Sequence, residues 1–296
     1  MAGGARGRRR AALTGPPAVA DDGLLSYDAE LQRLDVVLRR AAGVRPGERV
    51  LDVGCGTGGT TRRAAREADA GRAGPGTAGT GGAGPGTGGT GRAVGIDVSG
   101  PAIARARVLA DAEDVRNVDF VHGDAAAHAF PPGAFDVVVS RFGTMFFDDP
   151  VAAFTTVGRA LRPGGRLVML VWQSADRNAW DVAIRGALGI GEHVPSPGSD
   201  PFSLADPATV RTVLESAGFA EVTCTDVAEP VFYGRDVDEA LGWVGGFVST
   251  RAALDDLDPA AATAAVARLR DILAEHRTAD GVWFASRSWL VTARRP

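Results

Sequence analysis

The 296-residue chain contains no lysine: all 32 of its basic residues are arginine, set against 36 acidic ones for a formal net charge of −4. No broad positive field is available to gather a phosphate backbone, so nucleic acid is not expected as a partner. Cysteine is nearly absent. Cys55 and Cys224 stand apart, in neither a CxxC nor a metal-ligand spacing, which argues against a disulfide framework and a zinc site. No apolar run approaches the roughly 20 residues that a membrane span needs. The start "MAGGARGRRRAALTGPPAVA" is too weakly apolar and too interrupted by proline for a signal segment. These absences lead to the expectation of a cytoplasmic protein with no membrane partner, whose residues 1–20 form a disordered basic tail.

What is present is enough for one substantial core, since 45% of the residues are hydrophobic. Residues 21–296 are therefore expected to form a single domain. One stretch interrupts it: 70–91 carries an approximate duplication, "AGPGTAGTGG" then "AGPGTGGTG", whose glycine and proline density cannot bury enough apolar surface to offset ordering entropy. It is expected to be a disordered insert.

Around that insert helix and strand signals alternate, as a parallel α/β sheet requires. Leu24, Tyr27, Leu31, Leu34, Leu38 and Ala41 recur at spacings of three and four until Gly43 stops them, which predicts a leading amphipathic helix. Strands are expected at "RVLDVG", "AVGIDV", "VDFVHG", "FDVVVS" and "RLVMLVW", with "EVTCTDV" and "SWLVTAR" closing the chain. Asp149-Pro150 and Asp206-Pro207 each place an N-cap ahead of a proline at the first helical position.

The loop "VLDVGCGTGG" fits two ligands. Gly54, Gly56 and Gly59 match the dinucleotide fingerprint, while Asp52 with Gly54, Gly56 and Gly58 matches a methyltransferase nucleoside loop. In a dinucleotide fold an acid for the ribose follows the first glycine by about 20 residues. Asp97 stands 43 positions beyond Gly54, and leaving out the 22-residue insert brings that to 21. A nucleoside site is thus expected, with the insert in the return connection. Asp52 discriminates further. A carboxylate at the end of the first strand repels a pyrophosphate and attracts a cationic amino group.

"VLDVGCGTGG", "VGIDVS", "HGDA", "FDVVVSRFG" and "LRPGGRL" stand in an order and spacing that resembles the class I S-adenosylmethionine-dependent methyltransferases, particularly the small-molecule group related to the quinone C-methyltransferases. The likeness is strong over residues 45–172, and the ending "SWLVTARRP" is similar too. It implies an α/β fold: a Rossmann-like, doubly wound, mostly parallel seven-stranded sheet with helices on both faces and a small helical lid. It also implies S-adenosyl-L-methionine as cofactor and a small-molecule acceptor as partner. By this resemblance Asp52 and the backbone of Gly54, Cys55 and Gly56 hold the methionine moiety. Asp97 accepts from the ribose hydroxyls, Val98 packs on the adenine face, Asp124 accepts from the adenine amino group, and the Ala125 N–H faces the ring. Ser140, Arg141 and Phe142 line the cleft where donor and acceptor meet.

No clear general base stands out. His122 and His128 read as structural, and His193, within "GIGEHVPSPGSDP", and Tyr27 are weak candidates. Methyl transfer to oxygen, carbon or nitrogen needs such a base only when the acceptor must lose a proton. "SRFG" occupies the place after the fourth strand where amino-methylating enzymes acting on nucleic acid or protein often carry an Asn-Pro-Pro-Tyr type of motif. Segments 174–205 and 236–282 are longer than usual α/β connections, and are expected to form the lid and acceptor site. Two alternatives stay open: a non-catalytic S-adenosylmethionine-binding protein, and a nicotinamide oxidoreductase, which Asp52 disfavours.

Overall fold

The computed structural model describes residues 26–69, 91–195 and 198–296; the expected tail over 1–20 and the 70–91 insert, Gly91 apart, lie outside the described residues. The core is a seven-stranded sheet of β1 (Arg49–Val53), β2 (Arg92–Asp97), β3 (Val118–His122), β4 (Phe135–Arg141), β5 (Leu161–Trp172), β6 (Ala220–Val227) and, last in the chain, β10 (Ser288–Arg294). Their spatial order is β3-β2-β1-β4-β5-β10-β6, parallel throughout except for β10, which runs antiparallel to both neighbours. All seven strands fall where the sequence pattern expects them.

The central strands explain themselves. Four of the five residues of β1 and the last six of β5 are buried in unbroken runs, a pattern that demands cover on both faces. That cover includes α2 (Gln32–Ala42), α3 (Gly59–Asp69), α4 (Gly100–Ala112), α5 (Pro150–Ala160) and α7 (Pro207–Ser216). Asp149 and Asp206 cap α5 and α7 by accepting backbone N–H bonds, as expected. The leading helix is broken at Leu31 into α1 (Tyr27–Glu30) and α2, and Gly43 ends the latter in the left-handed region at φ +50°. The sequence reading passes over α4, whose Ser99 cap and early proline mark its start.

Strand order reverses between β1 and β4. In this architecture ligands bind in the crevice outside the carboxyl ends of the strands at such a reversal. A small lobe stands beside that crevice. It holds α6 (Ala179–Leu188), α8 (Val237–Gly245), α9 (Val248–Asp255) and α10 (Pro259–Glu275), so the segments expected to form a helical lid do carry helices. It also contains a feature absent from that expectation, a three-stranded antiparallel sheet in the order β7-β9-β8, from β7 (Val231–Gly234), β8 (Arg277–Thr278) and β9 (Gly281–Phe284). Runs of two to four residues are too short to show a period of two. Among the described residues no helix is long and apolar enough to cross a membrane.

Candidate functional site

The glycine-rich loop is fixed from below by its own backbone. Gly54 and Cys55 both donate to the carbonyl of Ile96, at 2.9 and 3.1 Å, and Gly58 donates to Cys55. Gly54 has φ +71° and lies against Gly143 of the loop after β4; a Cβ on Gly54 would stand 2.7 Å from the Gly143 Cα, and one on Gly143 would stand 2.8 Å from the Gly54 Cα. At Gly54, then, glycine is required because two loops meet backbone to backbone. Gly56 differs. A Cβ there would meet nothing within 4 Å, so this turn faces open space at the crevice.

Asp52 lies beneath the loop, 1% exposed. Its Oδ2 accepts from the Thr61 hydroxyl at 2.6 Å, and its Oδ1 is buried without a hydrogen-bond partner. Burial pushes its pKa up to about 6, with Asp35 and Asp97 adding to the rise while the Thr61 bond and Arg141 oppose it. A cation above the loop would restore the carboxylate. Asp97, at the end of β2, accepts from the Gly56 N–H and the Ser99 N–H, both at 2.8 Å, and so spans the loop and the start of α4. Each carboxylate oxygen retains a second lone pair for a diol. Val98 beside it is 62% exposed, an apolar face turned outward. Asp124 is exposed and bonds to the Ala126 N–H at 2.8 Å, leaving its neighbour Ala125 buried. Asp97, Val98 and Asp124 stand at or just beyond the carboxyl ends of neighbouring strands, with Asp52 buried beneath the open Gly56 turn, a set of acceptors that suits the diol, the amine and the cationic end of S-adenosylmethionine.

Two expected cleft residues are held differently. Ser140 is fully buried; it donates to the Val53 carbonyl at 2.8 Å and accepts from the Gly143 N–H at 3.3 Å, which ties the two loops together. Arg141 is drawn into an ion-pair cluster with Asp28 and with Asp35 at 3.1 Å, where Arg63 also binds Asp35 at 2.6 Å. Burial disfavours the Arg141 charge, but Asp28 and Asp35 more than compensate and raise its pKa. Burial would raise the Asp28 carboxyl, but Arg141, then Arg63 and Arg62, hold it below the usual carboxylate range. The Asp28 carboxylate sits over Gly59, the first residue of α3, where a Cβ would run into it. Cys55 is buried, and burial followed by Asp52 pushes its thiol up, so it is inert.

Phe142, the residue after β4, is buried. Its φ of +61° is an outlier for a bulky residue and costs on the order of 1–3 kcal/mol. It is stacked on Trp172 at 3.9 Å between centroids, and Trp180 and Phe202 continue the aromatic wall into the lobe. At its far end His193 Nε2 lies 2.8 Å from Asp200 Oδ1, with its ring edge-on to Phe202. Tyr27 packs edge-on against Trp243 of α8 at 5.1 Å. Of the other histidines, His122 contacts the Val98 carbonyl and His128 packs on Phe130, both supporting roles.

Sequence reasoning missed Asp28, Glu30 and Asp35. Asp28 and Asp35 stand seven apart, a spacing that places them on one face of a helical segment. A cavity of about 210 Å³ between Gly158, Phe219 and Arg295 lies at the amino ends of the parallel strands, away from the crevice.

Residues 45–184 match a family described as a methyltransferase domain. The chain is 30% identical over 220 residues to the nocamycin O-methyltransferase of Saccharothrix syringae, covering 72% of this chain and 64% of that one. It is 32% identical over 166 residues to the demethylmenaquinone methyltransferase of Thermus thermophilus, covering 55% of this chain and 64% of that one. It spans 34% of a Gibberella zeae sterol 24-C-methyltransferase, so it covers between a third and two thirds of these curated relatives. The crystal structure of the YcgJ protein of Bacillus subtilis has the same fold, with a TM-score of 0.56 and 18% identity over 89% of this chain and 98% of that one.

Proposed function

We propose that this chain, whose residues 45–184 match a methyltransferase domain and whose fold is that of the YcgJ protein, is a class I methyltransferase that binds S-adenosyl-L-methionine at the carboxyl ends of β1, β2 and β3 and methylates a small-molecule acceptor in the crevice beside the lobe. The observation that carries this reading is the open Gly56 turn set between two carboxylates, Asp52 below and Asp97 beside it. Asp97 would hold the ribose, Asp52 would face the cationic methionine end, and Val98 with Asp124 and Ala125 would take the adenine. Bound there, the cofactor supplies a methyl group already activated by a sulfonium.

The chain's own task is then positional. Holding a nucleophile in line at near-attack distance recovers much of the barrier through lost translational and rotational freedom. Trp180, part-exposed and backed by the buried Phe142–Trp172 stack, offers an apolar ring system a surface to lie against. Segments 174–205 and 236–282 supply most of the lobe and are assigned the choice of acceptor. Relatives named for demethylmenaquinone, a sterol and nocamycin support an apolar small molecule, with methylation at carbon or oxygen.

Thermal shift with S-adenosylhomocysteine and NADH, followed by methyl transfer to a panel of phenols, quinols and sterols, tests the proposal. Stabilisation by the homocysteine compound alone, with turnover of at least one acceptor, is the expected result. Stabilisation by NADH would move the assignment to a nicotinamide oxidoreductase, and cofactor binding with no transfer would leave a binding protein.

A further inference from the structure

Among the described residues eight buried side-chain polar atoms have no hydrogen-bond partner, and five of them belong to α1 and the lobe: Glu30 Oε2, Trp180 Nε1, Tyr233 OH, Trp243 Nε1 and Thr250 Oγ1. Folded proteins rarely leave such atoms unanswered, because each loses its hydration without a bond in return. Three of them lie on elements that pack together. Glu30 is 6% exposed at the end of α1, Tyr233 is fully buried on β7, and Trp243 is 9% exposed on α8. Both α1 and α8 pack on β7, and the Trp243 indole lies within reach of the Glu30 carboxyl. Arg141, at the end of β4 where the cleft opens, acts on the same carboxyl, and Tyr27 and Tyr233 both feel its charge.

We propose that Glu30, Tyr233 and Trp243 form the polar end of the acceptor site, and that Glu30 is the general base for an acceptor that presents a ring-borne hydroxyl. The inference rests on the methyltransferase reading above. Trp243 Nε1 can only donate, Tyr233 can donate or accept, and an ionised Glu30 can only accept. A phenolic or enolic hydroxyl beside a second oxygen answers all three. The hydroxyl proton passes to a Glu30 oxygen and leaves its electron pair on the acceptor oxygen as nucleophile; the proton later departs to solvent.

Two further observations favour Glu30 over His193. The His193 ring already has a carboxylate partner in Asp200, which also accepts from the Phe202 N–H, so that pair closes its own loop. Burial pushes the Glu30 carboxyl up to about 8, with Trp243 and then Arg141 opposing, which brings it close to the pH at which a base works best.

The test uses the full chain saturated with S-adenosylhomocysteine and two probe pairs, 1-naphthol with 1-methoxynaphthalene and p-nitrophenol with p-nitroanisole. Binding is read by tryptophan fluorescence, and methyl transfer to the two phenols is read separately, with S-adenosylmethionine in place of S-adenosylhomocysteine, from pH 6 to 10. The wild type is expected to prefer each hydroxyl probe at least tenfold. Glu30→Gln should lose that preference, drop turnover at least tenfold and lose the rising limb of the pH profile. Tyr233→Phe, which removes one unanswered hydroxyl, should fold at least as well as the wild type and weaken hydroxyl binding several fold. Cofactor affinity should stay within twofold in both variants. Equal preference in Glu30→Gln and wild type, or no preference in a wild type that binds S-adenosylhomocysteine, overturns the proposal. A wild type that fails to bind S-adenosylhomocysteine overturns the earlier reading instead.

Discussion

The crevice between β1 and β4 and the lobe beside it treat their polar groups in opposite ways. At the crevice Asp97 spans two backbone N–H groups, Ser140 ties Val53 to Gly143, and Arg141 is shared by two aspartates, leaving Asp52 Oδ1 as the unanswered atom beneath the loop. In and against the lobe, Glu30 of α1 and Trp180, Tyr233, Trp243 and Thr250 each have a buried atom that makes no hydrogen bond. A satisfied network is rigid before any ligand arrives, which suits a ligand that never changes. An unsatisfied one is completed by what binds, which suits selection among ligands, since a molecule lacking the right group leaves those atoms buried and unpaired.

The comparison breaks most readily at Arg141. Replacing it with Leu strands Asp28 and Asp35 in a buried setting, and the expected loss is about 2–3 kcal/mol, below the full cost of a broken buried pair because Arg63 still reaches both. Chemical denaturation of the mutant measures it, and an unchanged midpoint would mean that Arg63 alone neutralises the cluster. Next in size is Asp97→Ala, expected to weaken S-adenosylmethionine binding by roughly 1.5–3 kcal/mol while freeing the Gly56 and Ser99 N–H groups. A calorimetric titration with wild-type affinity would remove Asp97 from the site.

Two pH effects sharpen the contrast. Asp52 titrates at about 6 in the fold against an ordinary 3.8, so the folded state favours its proton and a cationic ligand favours its loss. The affinity for S-adenosylmethionine should therefore rise by up to about tenfold between pH 5 and 7.5, with Asp35, Asp97 and Arg141 as the charges that modulate it. A flat profile would place the ligand's charge elsewhere. Glu30, raised from 4.5 to about 8, follows the same sign in stability: the fold loses free energy as pH rises from about 4.5 to 8. Glu30→Gln should cancel that fall and be more stable than the wild type at pH 8 by roughly 1 kcal/mol. Melting curves across the range report it. The smallest effect on the cofactor should come from exchanging 174–205 for a relative's segment, which is expected to change which acceptors turn over while leaving S-adenosylmethionine affinity within a few fold. Unaltered preference in a folded chimera would shift specificity to α1 and β7.

The sheet was legible because its signals are local. Asp149-Pro150 and Asp206-Pro207 announce their helices, unbroken apolar runs announce buried strands, and the Gly54-to-Asp97 spacing survives once 22 residues are set aside. The site was legible in part. Asp52 and Asp97 stand at strand ends where the pattern put them, yet nothing local shows that Ser140 faces inward to Val53 or that Arg141 turns toward Asp28. Those orientations depend on contacts across more than 80 residues of sequence. The lobe was least legible. On a leading amphipathic helix acids read as the solvent side, and Glu30 is buried only because β7 and α8, some 200 residues later, close over it.

The meeting of Gly54 with Gly143 also limits how such a chain can evolve. Most tight contacts can be relieved by shrinking the neighbour, and drift proceeds by that exchange. Here both neighbours are already the smallest residue, and each would drive a methyl group into the other's backbone. Neither position has a compensating partner mutation, so the pair is a fixed point that no sequence of single steps leaves. Randomising both codons together and selecting for folded protein should return glycine at both, and recovery of any other pair would show that the loops can part.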